Sequence, residues 1–266
     1  MPYPILSPNS PDDSRKSLCA MAVMAKAPRP GKVKTRLCPP LTPEQSAALN
    51  ICFLKDTTEN LAQIASHGSA AGLISYTPEG EEALFDGLLP QSFALVLQRG
   101  DGFGERLLAA AEDILACGFG AVCLIDSDSP TVPASAFQQA VDALKQPGDR
   151  IVLGPSSDGG YYLIGMKQAH PEPFQNIHWS TSTVFEETLA AAKAAGMEVV
   201  QLPLWYDVDD GATLEILTEE LIENHSPIFV AKATHAERPG HSPQPGYAAV
   251  HTKKFLAERL AFGPQS

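Results

Sequence analysis

The chain has 266 residues, 44% of them hydrophobic, which is enough for one large α/β domain or one domain with a modest appendage. Nineteen basic residues against 31 acidic ones leave a net charge of -12, so the surface as a whole repels nucleic acid and anionic lipid. Five scattered cysteines without a C-x-x-C spacing suit neither a zinc site nor a disulfide framework. No apolar run reaches the roughly 20 residues of a membrane span, and the start is not a signal peptide, so a reducing cytoplasm is expected.

Residues 1–16 are polar and proline-rich and read as a flexible segment ahead of one main domain over 17–225. Leu18–Met24 is a short apolar run of the kind a fully buried strand shows, and it breaks off at Ala25-Lys26-Ala27-Pro28-Arg29-Pro30-Gly31. Thr42, Pro43 and Gln45 then supply an N-cap, a proline in the first turn and the second half of a capping box, opening a helix that runs to about Ser66. Further strands are expected at Gly72–Tyr76, Phe93–Leu97, Ala121–Ile125, Ile151–Gly154, Tyr161–Met166 and Val199–Leu202. Helices are expected over Glu105–Cys117, Ser135–Lys145, Ser182–Ala195 and Gly211–Asn224. The alternation implies a mainly parallel sheet with helices on both faces. The six residues between the strands at 151 and 161 leave no room for a crossover helix, so a hairpin or a long bend there makes the sheet mixed. Residues 226–266 read as a tail of uncertain order that ends in a short helix over Thr252–Phe262.

Within eleven residues stand Lys26, Arg29, Lys32, Lys34 and Arg36, with no acidic residue between Asp13 and Glu44, in a chain that is otherwise acidic. A loop leaving the carboxyl end of a first parallel strand is where open α/β sheets bind ligands, and Gly31 lets backbone amides approach phosphate oxygens. The spacing excludes a P-loop, because Val33 follows Lys32 and no glycine lies five residues before Gly31. The competing reading is a solvated basic turn.

The strand at 121 runs into Asp126-Ser127-Asp128-Ser129-Pro130. In extended backbone Asp126 and Asp128 point to the same side, so they can share one divalent cation or divide a metal and a ribose hydroxyl between them. A second acidic group, Asp207-Val208-Asp209-Asp210, opens the last helix, with Asp209 favoured as the second metal ligand and Asp210 as the N-cap. Weaker signals are Asp158-Gly159-Gly160, a pattern more often a hairpin turn than a substrate loop, and Trp179 with Ser180 ahead of the 182–195 helix, where an indole can stack on a sugar or base or simply pack, and Ser180 or Thr181 can cap. Gly100-Asp101-Gly102-Phe103-Gly104 lacks the third glycine of a dinucleotide fingerprint.

Taken together, Lys26 to Leu37, Gly100 to Arg106, Ile125 to Pro130, Gly154 to Gly165, Trp179 to Thr181 and Asp207 to Asp209 resemble, in order, the radical-SAM/selenodomain-associated transferase 1 family, bacterial proteins with a GT-A nucleotide-diphospho-sugar transferase fold. The layout is more distantly similar to guanylyltransferases that build cofactors from nucleoside triphosphates. The resemblance implies that the basic loop contacts nucleotide phosphates, that Asp128 and Asp209 carry Mg2+ or Mn2+, and that the Asp158-Gly159-Gly160 turn shapes the site around the transferred group. This chain has Asp210 where the family pattern usually has threonine.

The expected activity is therefore a glycosyltransferase with a nucleotide-diphospho-sugar donor and an unspecified acceptor, in which Lys26, Lys32, Lys34 and Arg36 hold phosphates and Asp207 is a candidate base. The alternative is a nucleotidyltransferase acting on a phosphorylated small molecule. A third reading, a non-catalytic nucleotide-sugar-binding module, has the intact Asp128 and Asp209 against it.

Overall fold

The structure is a computed structural model and describes residues 2–227 and 245–262. Seven strands, β1 (Cys19–Lys26), β2 (Ala70–Thr77), β3 (Ala94–Leu97), β4 (Ala121–Ile125), β5 (Arg150–Pro155), β6 (Tyr161–Met166) and β7 (Glu198–Gln201), form one sheet in the order β3-β2-β1-β4-β6-β5-β7. The β1, β2, β3 and β4 neighbours pair in parallel, as do β5 and β7. β6 runs against both β4 and β5. The hairpin expected around residues 156–160 is the reason: its tight turn, with Ser156 N–H donating to Gly160 O at 2.9 Å, returns the chain in the opposite direction.

Among the described residues six α-helices cover the sheet: α1 (Pro43–Ala65), α2 (Phe103–Ala116), α3 (Ala134–Lys145), α4 (Val184–Ala194), α5 (Gly211–Ile222) and α6 (Val250–Phe262). Strand alternation divides them. Cys19, Met21 and Val23 of β1 share one core with Leu49 and Phe53 of α1, Phe137 of α3, Leu217 of α5 and Leu256 of α6. Ala20 and Ala22 face the other way, into a second core with Leu107 and Ile114 of α2 and Leu189 and Ala192 of α4. Both faces are thus buried, which explains why the central strands read as continuous apolar runs rather than alternating ones.

Local signals fare well where the partner is close in sequence. Thr42 caps α1 with the full capping box to Gln45, and Asp210 caps α5 by accepting the Thr213 N–H at 2.9 Å. The cap expected at Ser180 or Thr181 is displaced: α4 begins after Thr183, and Phe185 N–H is drawn instead to Gly159 O of the β5–β6 turn at 2.8 Å. Residues 2–16, expected to be flexible, lie against the domain. Leu6 N–H donates to Leu95 O and Leu95 N–H to Pro4 O, both at 2.8 Å, so this stretch closes the open edge of β3, while the buried Tyr3 donates to Leu89 O at 2.5 Å.

Of the expected tail, residues 228–244 and 263–266 lie outside the described residues. α6 packs on α1 and α5, and Asp56 of α1 accepts the N–H groups of His251 at 3.0 Å and Thr252 at 2.8 Å in its first turn. Among the described residues no helix is long and apolar enough to cross a membrane.

Candidate active site

Six of the seven strands point their carboxyl ends at one edge of the sheet, and the order reverses between β1 and β4, with β2 and β3 lying on the far side of β1. Such a switch point leaves a crevice, because the chains leaving the two central strands depart to opposite sides. The loop after β1 carries the basic cluster and the loop after β4 carries Asp126 and Asp128, so the crevice is where the two sequence motifs meet. It opens as a cleft of about 340 Å³, lined by Lys26, Lys32, Lys34 and Arg36 together with Asp128 and Asp209.

Asp209 arrives from far along the chain by backbone pairing. Trp205 N–H donates to Pro155 O at 3.0 Å and Ser157 N–H to Trp205 O at 2.9 Å, which lays the segment after β7 along the β5 end. Val208 N–H then donates to Asp128 O at 2.9 Å. This last bond sets the two acidic loops side by side. Their carboxylates converge on one cation, the ammonium of Lys34, whose Nζ lies 2.8 Å from Asp128 Oδ1, 3.1 Å from Asp209 Oδ1 and 2.7 Å from Val208 O. Burial by itself would lower the Lys34 pKa, but the charges of Asp128 and Asp209 outweigh it and hold the pKa above the ordinary lysine value. Two carboxylate oxygens that close on one cation are also a fitting donor pair for Mg2+ or Mn2+, which take oxygen ligands and complete their shell with substrate phosphates and water.

The ammonium expected on a phosphate is therefore spent on carboxylates. Lys26 and Lys32 are exposed on the cleft wall, and Arg36, 74% exposed, reaches Asp209 Oδ2 at 3.7 Å. Gly31 takes a positive φ of 70°, which turns the loop, but it does not line the cleft. Asp126 does not line the cleft beside Asp128. Its carboxylate turns into its own loop and accepts from Ser129 Oγ at 2.7 Å and from Asp128 N–H at 3.3 Å. Burial, and then the charge of Asp128, push its pKa well above the usual carboxylate range. Asp126 thus shapes the loop that presents Asp128, as an Asx-type turn does.

Asp207 lies on the β5 side of the site, where Ser156 Oγ donates to its Oδ1 at 2.8 Å. Burial, reinforced by the nearby Asp158, pushes its pKa up to about 6. Asp158, Gly159 and Gly160 form the β5–β6 turn: Asp158 Oδ1 accepts Gly160 N–H at 2.8 Å, and a Cβ on Gly159 would collide with the Ser182 backbone. Trp179 does not line the cleft. It packs against Gly104 at the start of α2 and meets Phe103 edge-on, with ring centroids 5.1 Å apart, and Ser180 is exposed at φ 64°.

Residues that carried no sequence assignment complete the cleft. Phe103, 48% exposed, and Arg106 line the side toward β3, together with Thr77 and Gln98. With Arg106, five basic side chains and two acidic ones line the cleft, so it is locally cationic in an anionic protein. Asn50 of α1 is buried, lines the cleft, and has no partner for its Oδ1. Its only sequence signal is a polar residue on the buried stripe of α1, one turn before Phe53. The cluster Asp56, Glu59 and His251 has metal-ligating side chains but lies at the α1–α6 contact, away from the cleft. Both Asp56 oxygens are taken by α6 amides, so the cluster reads as a helix cap.

Comparison with known proteins agrees with this architecture. The family model described as "Uncharacterized protein conserved in bacteria (DUF2064)" matches residues 60–181. A search of curated proteins finds no significant match. Among solved structures, a Desulfovibrio desulfuricans G20 protein described as a candidate nucleotide-diphospho-sugar transferase is 30% identical, with a TM-score of 0.70 over 90% of this chain and 96% of that one. A CMP:2-keto-3-deoxy-manno-octonic acid synthetase complexed with CTP shares the fold at 12% identity, with a TM-score of 0.50 over 79% of this chain and 100% of that one. The fold is thus that of the nucleotide-diphospho-sugar transferases, and the chain belongs to the family of the Desulfovibrio desulfuricans G20 protein.

Proposed function

We propose that this protein is a divalent-metal-dependent transferase of nucleotide-activated small molecules, and specifically a glycosyltransferase with a nucleotide-diphospho-sugar donor. The observation that carries the reading is the meeting of the basic β1 loop with the Asp128 and Asp209 carboxylates in the switch-point cleft. A donor with two phosphates supplies the negative charge that five basic side chains call for. The likeness to the Desulfovibrio desulfuricans protein over nearly all of both chains supports the sugar nucleotide as donor. The finer placing among radical-SAM/selenodomain-associated transferases and a cytoplasmic location belong to the same proposal.

Asp128 and Asp209 would hold the metal, which supplies charge neutralisation on the departing diphosphate. Lys26, Lys32 and Arg36 bind and orient the phosphates, and Gly31 shapes the loop that presents them. The exposed ring of Phe103 offers a stacking face on the side of the cleft nearest β3. Asp207, with a pKa near 6 and an orienting hydrogen bond from Ser156, takes the proton of the acceptor hydroxyl. The Asp158-Gly159-Gly160 turn borders the transferred group, and Trp179 braces Phe103.

Thermal unfolding with nucleoside diphosphates, nucleotide sugars and nucleoside triphosphates, each with and without Mg2+ or Mn2+, tests the reading. A ligand at ~100 times its dissociation constant adds about 2.7 kcal/mol, roughly 5 to 11 °C for a domain of this size. A metal-dependent shift with one sugar nucleotide is expected. Preference for a triphosphate moves the assignment to nucleotidyl transfer, and no shift with any of them removes the cleft as a nucleotide site.

A further inference from the structure

The cation between Asp128 and Asp209 is part of the chain itself. Lys34 Nζ has three hydrogens, and three acceptors surround it: Asp128 Oδ1, Asp209 Oδ1 and Val208 O, all within 3.1 Å. The side chain is 3% exposed, and the Phe53 ring lies below the ammonium at 5.5 Å from its centroid. The residue is held in the left-handed backbone region, at φ 48° and ψ 38°, which a lysine adopts at some cost. No hydrogen is left for a phosphate, and an ammonium and a divalent cation cannot both sit against the same two oxygens.

We infer that Lys34 is a built-in counter-cation that holds the metal position closed, and that a divalent cation enters by displacing it. Once displaced, its ammonium stays on the phosphate-facing loop and becomes a phosphate ligand. The inference rests on the proposed metal role of Asp128 and Asp209. It has a thermodynamic consequence: metal alone must break three hydrogen bonds and leave a lysine without a partner, whereas metal with a polyphosphate gives that lysine a new anion. Metal and phosphate therefore bind with positive coupling, to which Lys34 contributes beyond the direct contact of metal and phosphate.

The test is Mn2+ binding, followed by the loss of the free-ion electron paramagnetic resonance signal, with and without inorganic pyrophosphate, after subtraction of the Mn2+ that the same pyrophosphate binds in the absence of protein. Lys34→Met keeps most of the apolar stem over Phe53. It is expected to bind Mn2+ alone at least about tenfold more tightly than the natural protein, so that pyrophosphate raises its Mn2+ affinity by a smaller factor than in the natural protein. Arg29→Met removes the same charge from the same loop at a residue that pairs with Glu81 and lies outside the cleft lining, and is expected to change affinity for Mn2+ alone by less than about twofold. Equal or weaker Mn2+ binding by Lys34→Met, with binding abolished in Asp128→Asn, overturns the displacement and leaves the metal assignment standing. Unchanged binding in Asp128→Asn removes the metal assignment and the inference with it.

A second readout needs no variant. Acetylation of Lys34 in the natural protein, quantified by mass spectrometry, should be slow without ligands, faster with Mn2+, and slow again with Mn2+ and pyrophosphate. The same slow rate with and without Mn2+ rules out the displacement.

Discussion

At the scale of single residues, the cleft separates groups that hold charge from groups that shape the backbone. Asp128 and Asp209 are 32% and 42% exposed, so each can exchange its lysine contact for a cation reached from solvent. Asp128→Ala is expected to cut metal-dependent release of nucleoside diphosphate by at least about a hundredfold, since a metal at a departing phosphate contributes several kcal/mol. The protein should still fold, because the partly exposed Asp209 remains to pair with Lys34. Full activity in this variant would falsify the metal assignment. Asp207 offers a different test, because its carboxylate accepts a hydrogen bond from Ser156 rather than from Lys34. Asp207→Asn preserves shape and removes the base, so kcat should fall by about 10² to 10⁴ with KM little changed. A KM effect alone would make it a binding residue.

At the scale of elements, the loops that carry the site are fixed by long-range backbone hydrogen bonds. The β5–β6 turn holds the start of α4 through Gly159 O, and the segment after β7 is stitched to the β5 end and then to Asp128. On the opposite face, α6 is tied to α1 by Asp56, which accepts two of its first-turn amides. Removing this acceptor leaves two amide groups unsatisfied in a largely buried place. Asp56→Ala should therefore cost about 1 to 3 kcal/mol in denaturant unfolding, with faster hydrogen exchange confined to α6. Stability within about 0.5 kcal/mol of the natural protein would show that this cap is dispensable.

At the scale of the whole molecule, the charge balance and the second core layer have separate consequences. A net charge of -12 surrounds a cationic cleft, so the anionic body repels polyanions at large while the cleft attracts a small phosphate ester. α6 adds Leu256 and the preceding Ala249 to the core shared by α1 and α5. A chain ending at residue 226 loses that cover, and burial of one leucine is worth about 1.5 to 3 kcal/mol even before the cap is counted. Such a truncation should unfold several degrees lower and bind an apolar dye, while keeping the Lys34 bridge. An unchanged unfolding temperature would mean that α6 is an accessory to the fold.

The sequence alone determined the elements whose causes are local. Apolar runs of strand length placed all seven strands, and the caps at Thr42 and Asp210 needed partners only three residues away. Strand ends slipped by a residue or two where pairing rather than hydrophobicity sets them: Lys26 is exposed, yet remains in β1 because it pairs with Thr77. The basic loop and the two acidic groups were legible as a cluster of like charge and a short carboxylate spacing. What they do to one another was not, because Lys34 finds Val208 at a separation of 174 residues. Tertiary structure likewise turned Asp126 into its own loop, set Trp179 behind Phe103, brought Asn50 to the cleft, and laid residues 4–6 along the edge of β3. The physical reason is the same in each case. A strand or a cap is decided by neighbours in the chain, whereas the partner of a charge or an unpaired amide is decided by the sheet order that brings distant loops to one edge.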